Sequence, residues 1–274
     1  MSLLQALLLG LIQGITEFVP VSSSGHLVIV PQLIDITVQS LVFDLILHVG
    51  TVFALLVYFW KDVFSITLSL FKDLISRGVK FSQYSKMGKL GLYVAVSFIP
   101  AAVFGFFLDS LIESTFRSVF SVAVILLIGT VFMLLADLRY KEGQNKDFSL
   151  VPCLTIGFAQ VLALFPGFSR SGATISAGIL LGLSRVQAAR FSFLMSIPVI
   201  LGAAAYKLIS LPSYSEVLTL PTFAGFASSF VVGILAIQFM LKYLGKRSLR
   251  LFIIYRFLLF IFLFFYFLLF IQVP

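Results

Sequence analysis

Six apolar stretches, roughly 41–60, 90–108, 117–137, 187–209, 222–242 and 251–272, limit what this chain can become. Each is close to the length of about 20 residues that a helix needs to cross the hydrocarbon core of a bilayer. Of 274 residues, 60% are hydrophobic and 11% charged, with a mean hydropathy of +1.13. A soluble globular domain carries roughly 25% charged residues. The chain is read as an integral membrane protein with a single membrane domain over 1–274. In lipid the backbone must satisfy its own polar groups, so the spans are helices and the fold class is all-α and polytopic.

The net charge of +8 does not point to nucleic acid, because the basic residues sit in short connections between apolar segments. Lysine and arginine there act as orientation signals. The 61–89, 138–148 and 242–250 connections hold Lys61, Lys72, Arg77, Lys80, Lys86, Lys89, Arg139, Lys141, Lys146, Lys242, Lys246, Arg247 and Arg250, and are placed in the cytoplasm. The alternate loops, 109–116 and 210–221, carry Asp109, Glu113 and Glu216 and face outward, with Arg117 and Lys207 just inside the neighbouring helix ends. Both termini then lie outside. Segment 63–76 sets Phe64, Leu68, Phe71 and Ile75 against Lys72 and Asp73, the pattern of an amphipathic helix lying on the membrane surface. No cleavable leader is expected at Met1-Ser2, which runs straight into apolar sequence. Cys153 stands alone, which excludes an internal disulfide and a cysteine-rich metal site.

Two further apolar regions, 1–34 and 149–183, are interrupted near their middles by proline, glycine and serine. Proline lacks a donor and pushes the residue before it toward extended backbone, so each region is predicted to be a pair of half-helices that enters and leaves on one side. The interruptions resemble each other. Gly10 and Gln13 lead through Pro20 to Ser24-Gly25, and Gly157 and Gln160 lead through Pro166 to Ser171-Gly172, with 12 residues from glutamine to glycine in both. A duplicated unit follows, covering about 1–137 and 149–272, with its halves in opposite membrane orientation. Six spanning helices and two re-entrant broken pairs make an inverted-topology repeat, whose working site belongs where the breaks meet.

The polar residues gather at these breaks. An ionisable group at membrane depth is expensive and is a functional candidate by default. In the second break Arg170 offers a planar fork of donors suited to phosphate, flanked by the hydroxyls of Ser169, Ser171 and Thr174 and by free amides where a helix starts near Gly172. A structural ion pair between Arg170 and Glu17 is the plainer alternative. In the first break Ser22, Ser23 and Ser24 are candidate nucleophiles, His26 a proton acceptor and Glu17 its orienter or a base, while serines also satisfy the backbone groups that a broken helix frees. Gln13 and Thr16 lie on the face of Glu17, in supporting roles or as ligands of substrate or metal. His48, four residues after Asp44, is read as a hydrogen-bonded pair with it. Arg256 either snorkels to the cytoplasmic surface or lines a cavity.

At both breaks the sequence resembles the undecaprenyl-diphosphate phosphatases of the bacitracin-resistance type, and the likeness extends over nearly the whole chain. Gln13-Gly-Ile-Thr-Glu17 matches that family's (Glu/Gln)-x-x-x-Glu motif, Pro20-Val-Ser-Ser-Ser-Gly-His26 follows it, and Pro166-Gly-Phe-Ser-Arg-Ser-Gly-Ala-Thr174 matches Pro-Gly-x-Ser-Arg-Ser-x-x-Thr. The resemblance implies hydrolysis of undecaprenyl diphosphate to the monophosphate and inorganic phosphate at the outer face of the bacterial plasma membrane. That reaction recycles the lipid carrier for peptidoglycan synthesis and confers bacitracin resistance. Glu17, His26 and Arg170 fall on essential positions, and Ser23 on a serine that is nucleophile or phosphate ligand. A divalent cation, Mg2+ or Ca2+, is expected at Glu17; many members carry glutamate where Gln13 stands, so one carboxylate rather than two would hold it here. Arg170, Ser171 and Thr174 are expected to stabilise charge, with Ser23 attacking after activation by His26 and Glu17, and with attack by His26 or by water left open. Partners expected are the polyprenyl diphosphate, membrane lipids and a second copy in a homodimer. Inverted repeats also build secondary transporters, so a lipid-phosphate flippase is the alternative from another class.

Overall fold

The computed structural model describes residues 1–34, 41–209 and 219–270. The outward loop expected over 210–221, with Glu216, lies largely outside the described residues, as do the side chains of Asp109 and Glu113. Helix α1, Leu3–Phe18, opens on a capping box in which Ser2 and Gln5 bond each other's backbone amides at 3.2 and 2.8 Å. It stops where Pro20 forces Val19 into extended backbone, φ −71° and ψ 134°. Helix α2, Ser23–Leu33, follows; α3, Leu41–Tyr58, bends by 80° into α4, Trp60–Arg77. Next come α5, Lys86–Thr115, and α6, Val119–Arg139. Helix α7, Leu150–Val161, runs through a short 3-10 turn into the second break, and α8, Arg170–Leu180, leaves it. Three long helices close the chain: α9, Arg185–Ile209, α10, Leu220–Leu244, and α11, Arg250–Phe270. Among the described residues there is no strand.

Five helices, α5, α6, α9, α10 and α11, are long and apolar enough to span, and α3 with α4 makes a sixth candidate. The protein is thus all-α, polytopic and of the membrane. At 16 residues α1 reaches only about 24 Å, short of a hydrocarbon core of about 30 Å, so it ends inside the protein. On α4 the stripe predicted from sequence points outward: Phe64, Phe71 and Ile75 are exposed, while Ile66 and Asp73 are buried on the side facing α5. Asp73 accepts from the amide and hydroxyl of Ser85 at 2.8 and 2.7 Å and pairs with Arg77 at 3.2 Å, tying α4 to the start of α5. These bonds hold its carboxyl below the usual aspartate range. At the far end of α6, Asp137 pairs with Arg185 at 3.1 Å, and Arg190 meets Asp62 at 3.0 Å.

Small residues let each half-helix press on a long helix of the other half. A Cβ at Gly10 of α1 would collide with the backbone of Gly225 on α10, and one at Gly157 of α7 with that of Ser97 on α5. Each of these contacts carries a hydroxyl-to-carbonyl bond: Ser228 donates to Leu7 at 2.9 Å and Ser97 to Cys153 at 2.7 Å. So α1 rides on α10 and α7 on α5, and their C-terminal ends deliver the two breaks to the centre.

Candidate active site between the two breaks

The breaks are built alike. Ser22 and Ser169 are the only non-glycine residues with positive φ among those described, 77° and 78°. Each caps the helix after it, accepting from the amide of Gly25 at 3.3 Å and of Gly172 at 3.1 Å. Each hydroxyl also sits beside the serine two residues on, Ser24 at 3.4 Å and Ser171 at 3.3 Å. Ser171 in turn donates to the carbonyl of Val19 at 3.3 Å, joining the second break to the first. Helices α2 and α8 therefore both begin at the junction, where their N-terminal amides favour an anion.

Glu17, 6% exposed at the end of α1, gathers the polar groups. Its Oε1 accepts from Arg170 Nη2 at 2.6 Å, and its Oε2 from Ser23 Oγ at 2.6 Å and Gln13 Nε2 at 3.0 Å. Arg170 also donates through Nη1 to the carbonyl of Ser192 at 3.3 Å, and Thr174 bonds the carbonyl of Arg170 at 2.8 Å and the hydroxyl of Ser192 at 2.6 Å. Glu17, Ser23, Gln13, Arg170 and Thr174, all singled out from sequence, form one network. The ion pair weighed as the plain reading of Arg170 is present, and the guanidinium still has donors that no described residue occupies.

His26 lies elsewhere. Read from sequence as the acceptor of the Ser23 proton, it has both nitrogens engaged away from that hydroxyl. Nδ1 meets the carbonyl of Ser22 at 2.7 Å and Nε2 the hydroxyl of Tyr255 at 2.6 Å, with the two rings stacked 5.8 Å apart. A carbonyl only accepts, so Nδ1 carries the proton, and in the neutral ring Nε2 accepts from Tyr255. On the first turn of α2 the Ser23 hydroxyl turns to Glu17, while the His26 ring folds back on the carbonyl of its own cap residue and stacks on Tyr255 of α11. The imidazole that does face Glu17 is His48, whose Nε2 is 3.7 Å from Oε2. His48 does not bond the Asp44 side chain as expected; its Nδ1 meets the Asp44 backbone carbonyl at 2.8 Å. His48 and Ser24 open onto a cavity of about 260 Å³, whose wall also holds Asp44, Arg117 and Lys207.

Arg256 does not snorkel. Fully buried, it bonds Thr130 at 2.9 Å and carbonyls on both sides of the junction: Gly167 and Phe168 at 3.1 Å each and Pro20 at 3.5 Å. Gly129 on α6 has no side chain because a Cβ there would strike this guanidinium and the Phe168 carbonyl. Ser192 and Tyr255 were given no role in sequence because each reaches the site from a distant helix; Arg256 was singled out as an arginine within an apolar span, but its tie to both breaks was not.

The fold and site define a polytopic membrane protein with an arginine–carboxylate–serine network buried where two broken helices meet. Residues 6–262 match the model of a family described as bacitracin resistance protein BacA. The chain belongs to that family. It is 42% identical over 260 residues to a protein of Moorella thermoacetica named undecaprenyl-diphosphatase, covering 94% of this chain and 95% of that one. Proteins of the same name from Caldicellulosiruptor bescii, 40% identical over 261 residues, and Teredinibacter turnerae, 41% over 261, cover 94% of this chain and 95% and 97% of their own lengths.

Proposed function

We propose that this protein hydrolyses undecaprenyl diphosphate to undecaprenyl phosphate and inorganic phosphate, in the bacterial plasma membrane, with its site open to the outer face and both termini outside. The observation that carries the reading is Ser23 Oγ donating to Glu17 Oε2 at 2.6 Å while Arg170 holds the other oxygen of the same carboxylate at 2.6 Å. A nucleophile, its base and an anion clamp thus sit within one buried network.

Phosphoryl transfer asks chiefly for positioning and charge stabilisation. The terminal phosphate enters beside Arg170, whose uncommitted N–H groups and the first-turn amides of α2 and α8 meet its oxygens. Thr174 and Ser192 brace the arginine from behind. Ser23 Oγ attacks the terminal phosphorus and its proton passes to Glu17 Oε2. The bond from phosphorus to the bridging oxygen breaks, and undecaprenyl phosphate leaves with that oxygen. Glu17 gives that proton to the departing phosphate, then deprotonates a water that attacks the phosphoserine, and returns the water's proton to Ser23 Oγ as inorganic phosphate leaves. His26, held between Ser22 and Tyr255, is a positioning residue that fixes the strained cap of α2.

A divalent cation fits the residues present. Glu17 supplies a hard carboxylate, and Gln13 Oε1 is buried without a hydrogen-bond partner among the described residues. Such a pair suits an ion that takes its other ligands from phosphate and water, and the ion would neutralise phosphate charge. No described cluster of three or more His, Cys, Asp or Glu side chains would hold one alone.

Phosphate release from a prenyl diphosphate by protein purified in detergent tests the reading. Ser23→Ala is expected to lose on the order of 10⁴-fold or more, as nucleophile removal does. Arg170→Lys, which keeps the charge but not the fork, should lose about 10³-fold. An active parent whose Ser23→Ala variant keeps full rate would move attack to water, and a folded parent without activity would overturn the assignment.

A further inference from the structure

We infer that His48 Nε2, together with Glu17 Oε2, holds the water that hydrolyses the phosphorylated Ser23, which makes His48 a catalytic residue of the second half of the reaction. The inference rests on the phosphatase reading and brings into that site a group that belongs to neither break motif.

The tautomer sets the geometry. His48 Nδ1 lies 2.8 Å from the backbone carbonyl of Asp44, one turn earlier on α3. A carbonyl only accepts, so Nδ1 carries the proton of the neutral ring and Nε2 presents a lone pair. That lone pair faces Glu17 Oε2 at 3.7 Å, too far for a direct hydrogen bond, and Nε2 has no hydrogen-bond partner among the described residues. Two acceptors that converge on one gap need donors between them. A water has two. Hydrogen bonds of about 2.8 Å to each atom meet at a water set slightly to one side of the line between them, and its lone pairs stay free for phosphorus. Charge is not the task of His48 here, because Arg170 already neutralises Glu17 through Oε1 at 2.6 Å.

Water can reach this gap. The His48 side chain is 29% exposed and, with Ser24, lines the cavity of about 260 Å³, where about 10–15 Å³ would hold one water. The reacting serine is equally near: Ser24 neighbours Ser23, and Ser23 Oγ bonds the same Oε2 at 2.6 Å. One carboxylate oxygen therefore serves both half-reactions, approached by Ser23 from α2 and by His48 from α3. His26 cannot take this place, because Ser22 and Tyr255 occupy both of its nitrogens. In the step itself the water oxygen bonds phosphorus, its O–H to Glu17 breaks, the bond from phosphorus to Ser23 Oγ breaks, and Glu17 passes the proton to Oγ. His48 accepts the other O–H as a hydrogen bond throughout and takes no proton.

Separating the two half-reactions tests the water site. A long-chain prenyl diphosphate radiolabelled in its terminal phosphate is mixed with protein in detergent, chased with unlabelled substrate and quenched in acid, and label on the protein and label released are followed in time. His48→Met fills the space of the ring with an apolar side chain. Label is expected to pass to Ser23 at close to the parent rate but to leave about 10²-fold more slowly, the scale of a misplaced reactant, so phosphoprotein accumulates. His48→Lys, which supplies charge without a lone pair, should behave like His48→Met. His48→Gln, which returns a neutral acceptor, should recover most of the rate of release and clear the accumulated label. If His48→Met or His48→Lys releases label at the parent rate, or slows transfer and release equally, the water site is overturned. A Ser23→Ala variant that keeps full rate removes the intermediate and overturns the inference while leaving the phosphatase reading in place. A folded parent inactive on prenyl diphosphate overturns the phosphatase reading and the water site with it.

Discussion

Ser22 and Ser169 hold a backbone conformation that costs a non-glycine residue about 1–3 kcal/mol, and both do so at the start of a helix that faces the site. Glycine would relieve the strain but lose the hydroxyl that caps the helix, so serine serves both needs. Strain stored this way fixes where Ser23 and Arg170, the next residues, emerge. The two breaks then carry different chemistry at equivalent places, a hydroxyl in one and a guanidinium in the other. Beside them Gln13 donates to Glu17 through its amide and leaves its carbonyl oxygen unbonded. Gln13→Glu replaces that amide with a second carboxylate. The expected result is a lower Mg2+ concentration for half-maximal phosphate release, by on the order of tenfold for one added charged ligand, measured by titrating Mg2+ into chelator-treated protein.

At the scale of elements, the half-helices need outside support because neither spans nor pairs with itself. Glycine-to-backbone contacts on α10 and α5 supply it, and the same contacts leave the small N-terminal helix ends free to face each other. Helix α4 is secured differently, by a carboxylate. Asp73 bonds the cap of α5 and is held below its ordinary value, so it favours the folded state when ionised. The sign follows: this stabilisation is present above the unfolded aspartate pKa of about 3.9 and is lost as pH falls through the lower folded value. Asp73→Asn is expected to unfold more readily than the parent near neutral pH, with the gap closing as the pH falls below the ordinary aspartate range. Thermal unfolding in detergent across that pH range reads it directly.

For the molecule as a whole, Arg256 is the common tie. It bonds carbonyls of Pro20 in the first break and of Gly167 and Phe168 in the second, groups that the interrupted helices leave without intrahelical partners. Arg256→Met removes those donors from a site closed to water. At about 1–3 kcal/mol for each carbonyl left unsatisfied, a loss of about 3 kcal/mol or more is expected, measured as unfolding by denaturing detergent. Arg256→Lys keeps one charge but cannot fork across both breaks, so it should recover only part.

The sequence by itself determined the membrane class, the number of long helices, the positions of both breaks and the polar residues within them. Those features are local: apolar run length, proline's missing donor and a repeated spacing do not depend on distant contacts. Thus Glu17, Ser23 and Arg170 were legible as candidates, and even the alternative of their ion pairing was visible. Only the tertiary structure decided which groups meet. Ser23 and His26 share the first turn of α2, yet Ser23 bonds Glu17 while His26 reaches Tyr255 on α11, and it is His48, arriving from α3, that faces Glu17. Arg117 and Lys207, 90 residues apart in sequence, share one wall only because α9 packs against both α3 and α5. Helix periodicity names the face a side chain occupies, but what lies across from that face is settled by packing between helices far apart in the chain.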